Sequence, residues 1–196
     1  MSYVFLVIFG YFMGSIPSGL IIGRLSSGVD IREYGSGNLG GTNAFRVLGV
    51  KLGIAVTVAD IIKGIIPAFI GLQLGGDVLA ITAGAAAIFG HAYPIFANFK
   101  GGKSIATGAG VFLVLMPAVI GVATLVFAII LIITQYVSLA SLLGALTLVI
   151  ASIIFGVGIL KILVAVAVFI FVFYRHRGNV ERLLYGTENR AKIWRR

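Results

Sequence analysis

The sequence contains no cysteine. Disulfides, thiolate metal sites and a cysteine nucleophile are therefore excluded. Acidic residues are almost as scarce, six in 196 residues, and they are scattered. A two-metal site built on an aspartate cluster has no ligands to form it. No grouping of His, Cys and Asp fits zinc either. Neither a metal nor a cofactor is expected. Charge as a whole is low, 11% of residues against roughly 25% in soluble domains. The N-terminus lacks the basic stretch and small-residue cleavage site of a signal peptide, so Tyr3 to Ile22 reads as a first span. No internal repeat of 20 to 50 residues is evident.

What remains is apolar: 60% of the residues are hydrophobic and the mean hydropathy is +1.13. The apolar runs lack the alternation of a barrel strand, and backbone polar groups in a bilayer must be satisfied within the segment. The expected fold is all-α, a polytopic membrane protein of about seven transmembrane helices. The spans are read at 3–24, 52–74, 78–97, 104–117, 118–134, 138–155 and 159–174. GGD at 75–77 and TQYVS at 134–138 mark turns, and Pro117 marks a helix boundary. Residues 1–196 read as one transmembrane domain with loops at 25–51 and 98–104 and a tail at 175–196. Glycine, 27 residues, is about twice as common as usual. Much of it, as in AITAGAAAIFG of the third span, fits close helix packing.

The formal net charge is +9. In a membrane protein this points to orientation and to anionic ligands before nucleic acid, and no nucleic-acid partner is expected. Arg24, Arg32, Arg46 and Lys51 fall in the first connection, and Lys100 and Lys103 in the third. Arg175, Arg177, Arg182, Arg190, Lys192, Arg195 and Arg196 fall in the tail. With seven spans these segments share one side. That side is then cytoplasmic, with the N-terminus outside and the C-terminus in the cytoplasm.

The same side collects polar motifs. In GSGNLGGTNAFR (35–46), Gly35, Gly37, Gly40 and Gly41 allow close backbone approach and offer bare N–H groups to an anion. Ser36, Asn38, Thr42 and Asn43 add neutral donors, and Arg46 adds a planar fork suited to phosphate. If TNAFR opens a helix, its N-terminus also favours negative charge. The pattern is neither a Walker loop nor a dinucleotide fingerprint. FKGGKS (99–104) repeats the design: Gly101 and Gly102 lie between Lys100 and Lys103, followed by Ser104 and a helix. His91 stands about two turns before that loop, an ionisable residue in a membrane helix. Pro17, within GSIPSG (14–19), kinks the first span. Asp60 and Lys63, one turn apart, suit an intrahelical pair, read as structural first and as electrostatic support for the site second. His176 and Glu181 only approximate an acyltransferase HxxxxD pair.

Together GSIPSG, GSGNLGGTNAFR and GHAYPIFANFKGGKSIAT (90–107) resemble the three motifs of the bacterial acyl-phosphate:glycerol-3-phosphate acyltransferases, the PlsY family. The tail RHRGNVERLLYGTENR (175–190) is similar to the family's C-terminal segment. Leu39, Gly41 and Ser104 replace residues common in the family without removing a donor. The resemblance implies a seven-span enzyme of the bacterial cytoplasmic (inner) membrane with its site facing the cytoplasm. It implies transfer of an acyl group from acyl phosphate to the 1-hydroxyl of glycerol 3-phosphate, giving lysophosphatidic acid and phosphate. On this reading Arg46, Lys103, Ser36, His176 and Asn179 hold the phosphate of glycerol 3-phosphate. The N–H groups around Gly37, Gly40 and Gly41, with Asn38, Thr42, Asn43 and Lys100, hold the acyl phosphate. The base is either His91 or, by a slight preference, a substrate phosphate oxygen. The competing reading, a transporter for a small anion, would place its site near the midplane of a repeated structure.

Overall fold

The computed structural model describes residues 2–191 and is helical, with no strand among them. Lys192, Arg195 and Arg196 lie outside the described residues. The chain forms two compact units, one ending at Leu115 and one beginning at Met116.

The first unit contains α1 (Ser2–Ser15), α2 (Ser18–Ser27), α3 (Gly41–Leu48), α4 (Val50–Ala92) and α5 (Ile105–Leu115), with 3₁₀ turns at Ile31–Glu33 and Ile95–Ala97. The expected kink at Pro17 is a full break. Pro17 has no N–H to continue the ladder; the Ser18 N–H turns back to the Ile16 carbonyl at 3.0 Å, and Leu20 and Ile21 bond the Pro17 carbonyl at 2.9 and 3.0 Å. α2 ends in a left-handed cap at Gly28, whose N–H donates to the Arg24 carbonyl.

α4 is 43 residues long, about 65 Å at the helical rise and twice the thickness of a hydrocarbon core. It is broken where the sequence places a turn. Gly75 and Gly76 leave helical geometry, and Gly76 has φ +66°, a conformation that suits a residue without a β-carbon. Gly71 lies against the backbone of Leu79 and Ala80, so the two limbs fold on each other. Gly10 and Gly14 of α1 abut the Ala83 and Ala87 carbonyls of the second limb. Gly64 of the first limb abuts the Thr107 carbonyl of α5. The small residues thus bring backbones together, as helices in lipid require.

The second unit contains α6 (Pro117–Thr134), α7 (Val137–Ile154), α8 (Ile159–Arg175) and α9 (Arg177–Leu184). Pro117 opens α6 at its first turn, where the missing N–H has no helical partner to lose. After α9 the chain returns to the α6–α7 turn: the Ala191 N–H donates to the Gln135 carbonyl at 2.7 Å. Among the described residues, four stretches, Tyr3–Ser27, Val50–Ala97, Pro117–Thr134 and Val137–Ile154, are long and apolar enough to cross a membrane. A fifth is added if α8 and α9, bent by 61°, are counted together.

Candidate functional site

The loop before α3 is pinned at both ends. The Asp30 carboxylate accepts from Arg32 Nε and Nη2 at 2.9 and 2.6 Å, from the Arg32 N–H, and from Arg24 Nη2. Its bonds to the Arg32 guanidinium hold its carboxyl well below the usual carboxylate range. The apolar pins are Ile31 and Leu39, buried against Leu20, Ala44 and Val56. Asn43 shapes the interior: its Oδ1 accepts the Ser36 N–H at 2.9 Å, and its Nδ2 donates to the Ile31 and Tyr34 carbonyls. Asn43 is 1% exposed, so its side chain serves the loop.

The expectation of bare glycine N–H groups is corrected in part. The Gly37 N–H donates to the Tyr34 carbonyl at 3.1 Å, and the Gly40 N–H to Asn38 Oδ1 at 2.9 Å. Both are spent on tight turns, the second an Asx turn. The N–H groups of Gly41 and Thr42, in the first turn of α3, have no partner among the described residues. TNAFR is helical, as expected. Ser36, Thr42 and Arg46 are exposed, and Arg46 has no ion pair among the described residues.

The second loop folds back on the end of α4. The Gly102 N–H donates to the His91 carbonyl at 3.0 Å, so this glycine is not bare either. A β-carbon on Gly102 would overlap His91 Nε2, and one on Gly101 the His91 carbonyl. Ser104 is buried and its hydroxyl donates to the Ile88 carbonyl at 2.7 Å. Asn98, Phe99 and Ser104 all have φ between 55° and 62°. Three non-glycine residues in the left-handed region within seven positions represent local strain of about 1–3 kcal/mol each, a condition that clusters at ligand sites. Lys100 is exposed, and Lys103 is half-buried.

Beneath both loops lies a buried polar cluster. Lys63 Nζ is 2.9 Å from Asp60 Oδ1 and donates to the Ile16 carbonyl at 2.8 Å. His91 Nδ1 is 3.7 Å from Asp60 Oδ1. A cavity of about 10 Å³ opens here, bounded also by Gly14, Pro17, Leu39 and Pro94. Residues from all three motifs of this unit therefore meet at one point.

His176 and Asn179 stand in the second unit, 3% and 9% exposed. His176 Nδ1 is 2.8 Å from the Val172 carbonyl. Asn179 Nδ2 donates to Glu188 Oε1 at 2.7 Å. Glu188, which the sequence reading missed, also accepts from Ser138 Oγ at 2.8 Å and Arg182 Nε at 2.7 Å. Burial alone would push the Glu188 carboxyl up, but the three donors outweigh it and hold it below the usual glutamate range. Glu181 is exposed. The available signal for Glu188 was an acid set among basic residues of the tail. An apolar groove of about 340 Å³ lies in the same unit, where Leu139, Leu142, Leu143 and Leu146 line one face of α7 opposite Phe169 and Phe173. Among the described residues, no group of three or more His, Cys, Asp or Glu side chains could hold a metal ion.

Residues 4–186 match the family model described as glycerol-3-phosphate acyltransferase. Glycerol-3-phosphate acyltransferase 3 of Bacillus anthracis is 46% identical over 188 residues, covering 96% of this chain and 94% of that protein. The glycerol-3-phosphate acyltransferase of Bacillus subtilis is 47% identical over 188 residues, covering 95% and 96%. Two crystal structures of PlsY, an integral membrane glycerol 3-phosphate acyltransferase, superpose with TM-scores of 0.93 for its glycerol 3-phosphate form and 0.91 for its lysophosphatidic acid form. Each is 40% identical and covers 97% of this chain, with 96% and 95% of the solved chains covered. With the loops, the α3 N-terminus and the helical frame on view, this chain belongs to the PlsY family of integral membrane glycerol-3-phosphate acyltransferases.

Proposed function

We propose that the acyl donor is acyl phosphate and that the 1-hydroxyl of glycerol 3-phosphate attacks it directly. The hydroxyl oxygen bonds the acyl carbon, the bond from that carbon to the phosphate oxygen breaks, and lysophosphatidic acid and phosphate leave. The observation that carries this reading is the distribution of positive charge in the first unit. Arg24, Arg32 and Lys63 each have a carboxylate partner. Arg46 and Lys100, on the two glycine loops, are exposed with no carboxylate partner among the described residues. Arg46 shares α3 with the unpartnered N–H groups of Gly41 and Thr42. Cations and helix-end donors of this kind suit phosphate and developing negative charge. Acyl phosphate is already activated, so no covalent enzyme intermediate is required.

Arg46, Lys103 and Ser36 are assigned to the phosphate of glycerol 3-phosphate, as are His176 and Asn179. Asn38, Gly41, Thr42 and Lys100 are assigned to the acyl phosphate, while Gly37 and Gly40, whose N–H groups close turns, shape the loop. Asn43, Gly101, Gly102 and Ser104 hold the loops that present these groups. The burial of the His91 ring under Gly102 favours a substrate phosphate oxygen as the base. The apolar groove along α7 is of a size and character that suits a fatty chain.

Seven spans, with the N-terminus outside and the site facing the cytoplasm, remain the topology we adopt. α4 counts as two spans because it is twice the required length and broken at Gly75–Gly76. α5, with 11 apolar residues, counts as one short span, and α8 as another.

The test is purified protein with acyl phosphate and glycerol 3-phosphate, followed by phosphate release and lysophosphatidic acid formation. Product with an acyl thioester but none with acyl phosphate would overturn the donor. For the base, His91→Ala is expected to lower kcat by less than tenfold. A loss of about 10²- to 10⁴-fold with unchanged KM would make His91 the base.

A further inference from the structure

Asp60, Lys63 and His91 are 1%, 4% and 5% exposed. Three ionisable side chains in apolar helices are costly, since each buried charge loses several kcal/mol of solvation unless its partners restore it. A well-packed apolar trio would be the cheaper way to join α1 to α4. Their contacts give them a different use.

The Ile16 carbonyl stands at the Pro17 break. It accepts the Ser18 N–H at 3.0 Å in a tight turn, and its helical donor Leu20 has gone to Pro17. Lys63 Nζ is a second donor to the same carbonyl, at 2.8 Å, and reaches it from α4. Asp60 Oδ1 compensates that ammonium at 2.9 Å and faces the His91 ring at 3.7 Å, beyond direct hydrogen-bond range. Both Asp60 oxygens are buried, and neither has a hydrogen bond of good geometry. The adjoining cavity has room for about one water to bridge the gap. On its far side the His91 ring lies under Gly102, and the His91 carbonyl accepts the Gly102 N–H at 3.0 Å. Leu39, from the first glycine loop, walls the same cavity.

We propose that Lys63 and Asp60 are positioning residues of the transferase, holding the broken end of α1 and the His91 ring so that the Gly101–Gly102 turn and its two lysines keep a fixed place. The inference rests on the function proposed above only in assigning substrate phosphate to that turn. A plain structural ion pair would explain the pair's attraction, but not Lys63's bond to Ile16 or the ring's place beneath Gly102.

The experiment compares Lys63→Met, Asp60→Asn and the double variant, using whichever acyl donor the wild type accepts. Failure of acyl phosphate as donor is thereby kept apart from failure of the positioning role. Each single change strands a buried charge and is expected to lower the melting temperature. The double variant carries no charge at either position and is expected to melt within a few degrees of the wild type. Its KM for glycerol 3-phosphate is expected to rise about tenfold or more. A double variant with wild-type melting and wild-type KM for both substrates would reduce the pair to a structural one and overturn the proposal. If the double variant does not fold, His91→Asn decides: a tenfold rise in KM supports the proposal, and unchanged KM values refute it.

Discussion

The ring of His91 fills the space that a β-carbon on Gly102 would need, and the Gly102 N–H is already tied to the His91 carbonyl. An alanine there has neither room to enter nor freedom to turn aside. The turn must lift, and Lys100 and Lys103 move with it. Gly102→Ala is therefore expected to raise KM for the phosphate-bearing substrates by tenfold or more. The melting temperature should fall by only a few degrees, because the displaced segment is a loop. A steady-state comparison with Gly121→Ala, whose β-carbon meets open space, checks this. Equal KM values in the two variants would show that the turn's position does not matter. In the sequence the KGGK glycines suggested N–H groups left bare for phosphate; at Gly102 the first reason for glycine is the imidazole behind it.

Among the helices the glycines divide by what faces them. Gly64 lies on the Thr107 carbonyl, a backbone atom that cannot rotate away. Gly64→Ala must push α5 off α4, at about 1–3 kcal/mol. Gly121→Ala, on an exposed part of α6, should instead match or slightly exceed wild-type stability through helix propensity. Detergent melting curves of the two variants test the contrast. The elements themselves were largely legible. Gly75–Gly76, Pro117 and the TQYVS turn punctuate the chain through backbone chemistry that is local to those residues. What was not legible depends on distant partners. Asn43 looked like a substrate donor until Ile31 and Tyr34 claimed its amide, and Glu188 acquired its meaning from Ser138, 50 residues away. Glu188 ties the tail to α7 and α9, and its folded carboxyl sits below its unfolded range. Its stabilising contribution is therefore complete above the unfolded pKa of about 4.3 and is lost as pH falls through the lower folded value. Wild-type stability should fall in that acid window, and Glu188→Gln should flatten the dependence. An unchanged acid slope in Glu188→Gln would place the sensitivity elsewhere.

For the whole molecule the decisive quantity is parity. Seven spans put the 25–51 loop and the tail on the same side, whereas six put them on opposite sides. Two helices decide the count. α4 is too long for one crossing and turns at Gly76, which favours two. α5 has 11 residues, about 16 Å of helix against a core of roughly 30 Å, so it crosses only with flanking residues and local thinning. The absence of cysteine makes the molecule a clean background for labelling. Single cysteines at Asp77, Phe155, Tyr34 and Tyr185, all exposed positions, report the four relevant connections. With a membrane-impermeant maleimide on intact cells, Asp77→Cys and Phe155→Cys are expected to label. Tyr34→Cys and Tyr185→Cys should label only after permeabilisation. Labelling of Tyr185→Cys but not Tyr34→Cys in intact cells, with Asp77→Cys still reactive, would mean that α5 does not cross. The basic tail would then lie outside, against the charge rule that otherwise accounts for the clustering of cations in these segments.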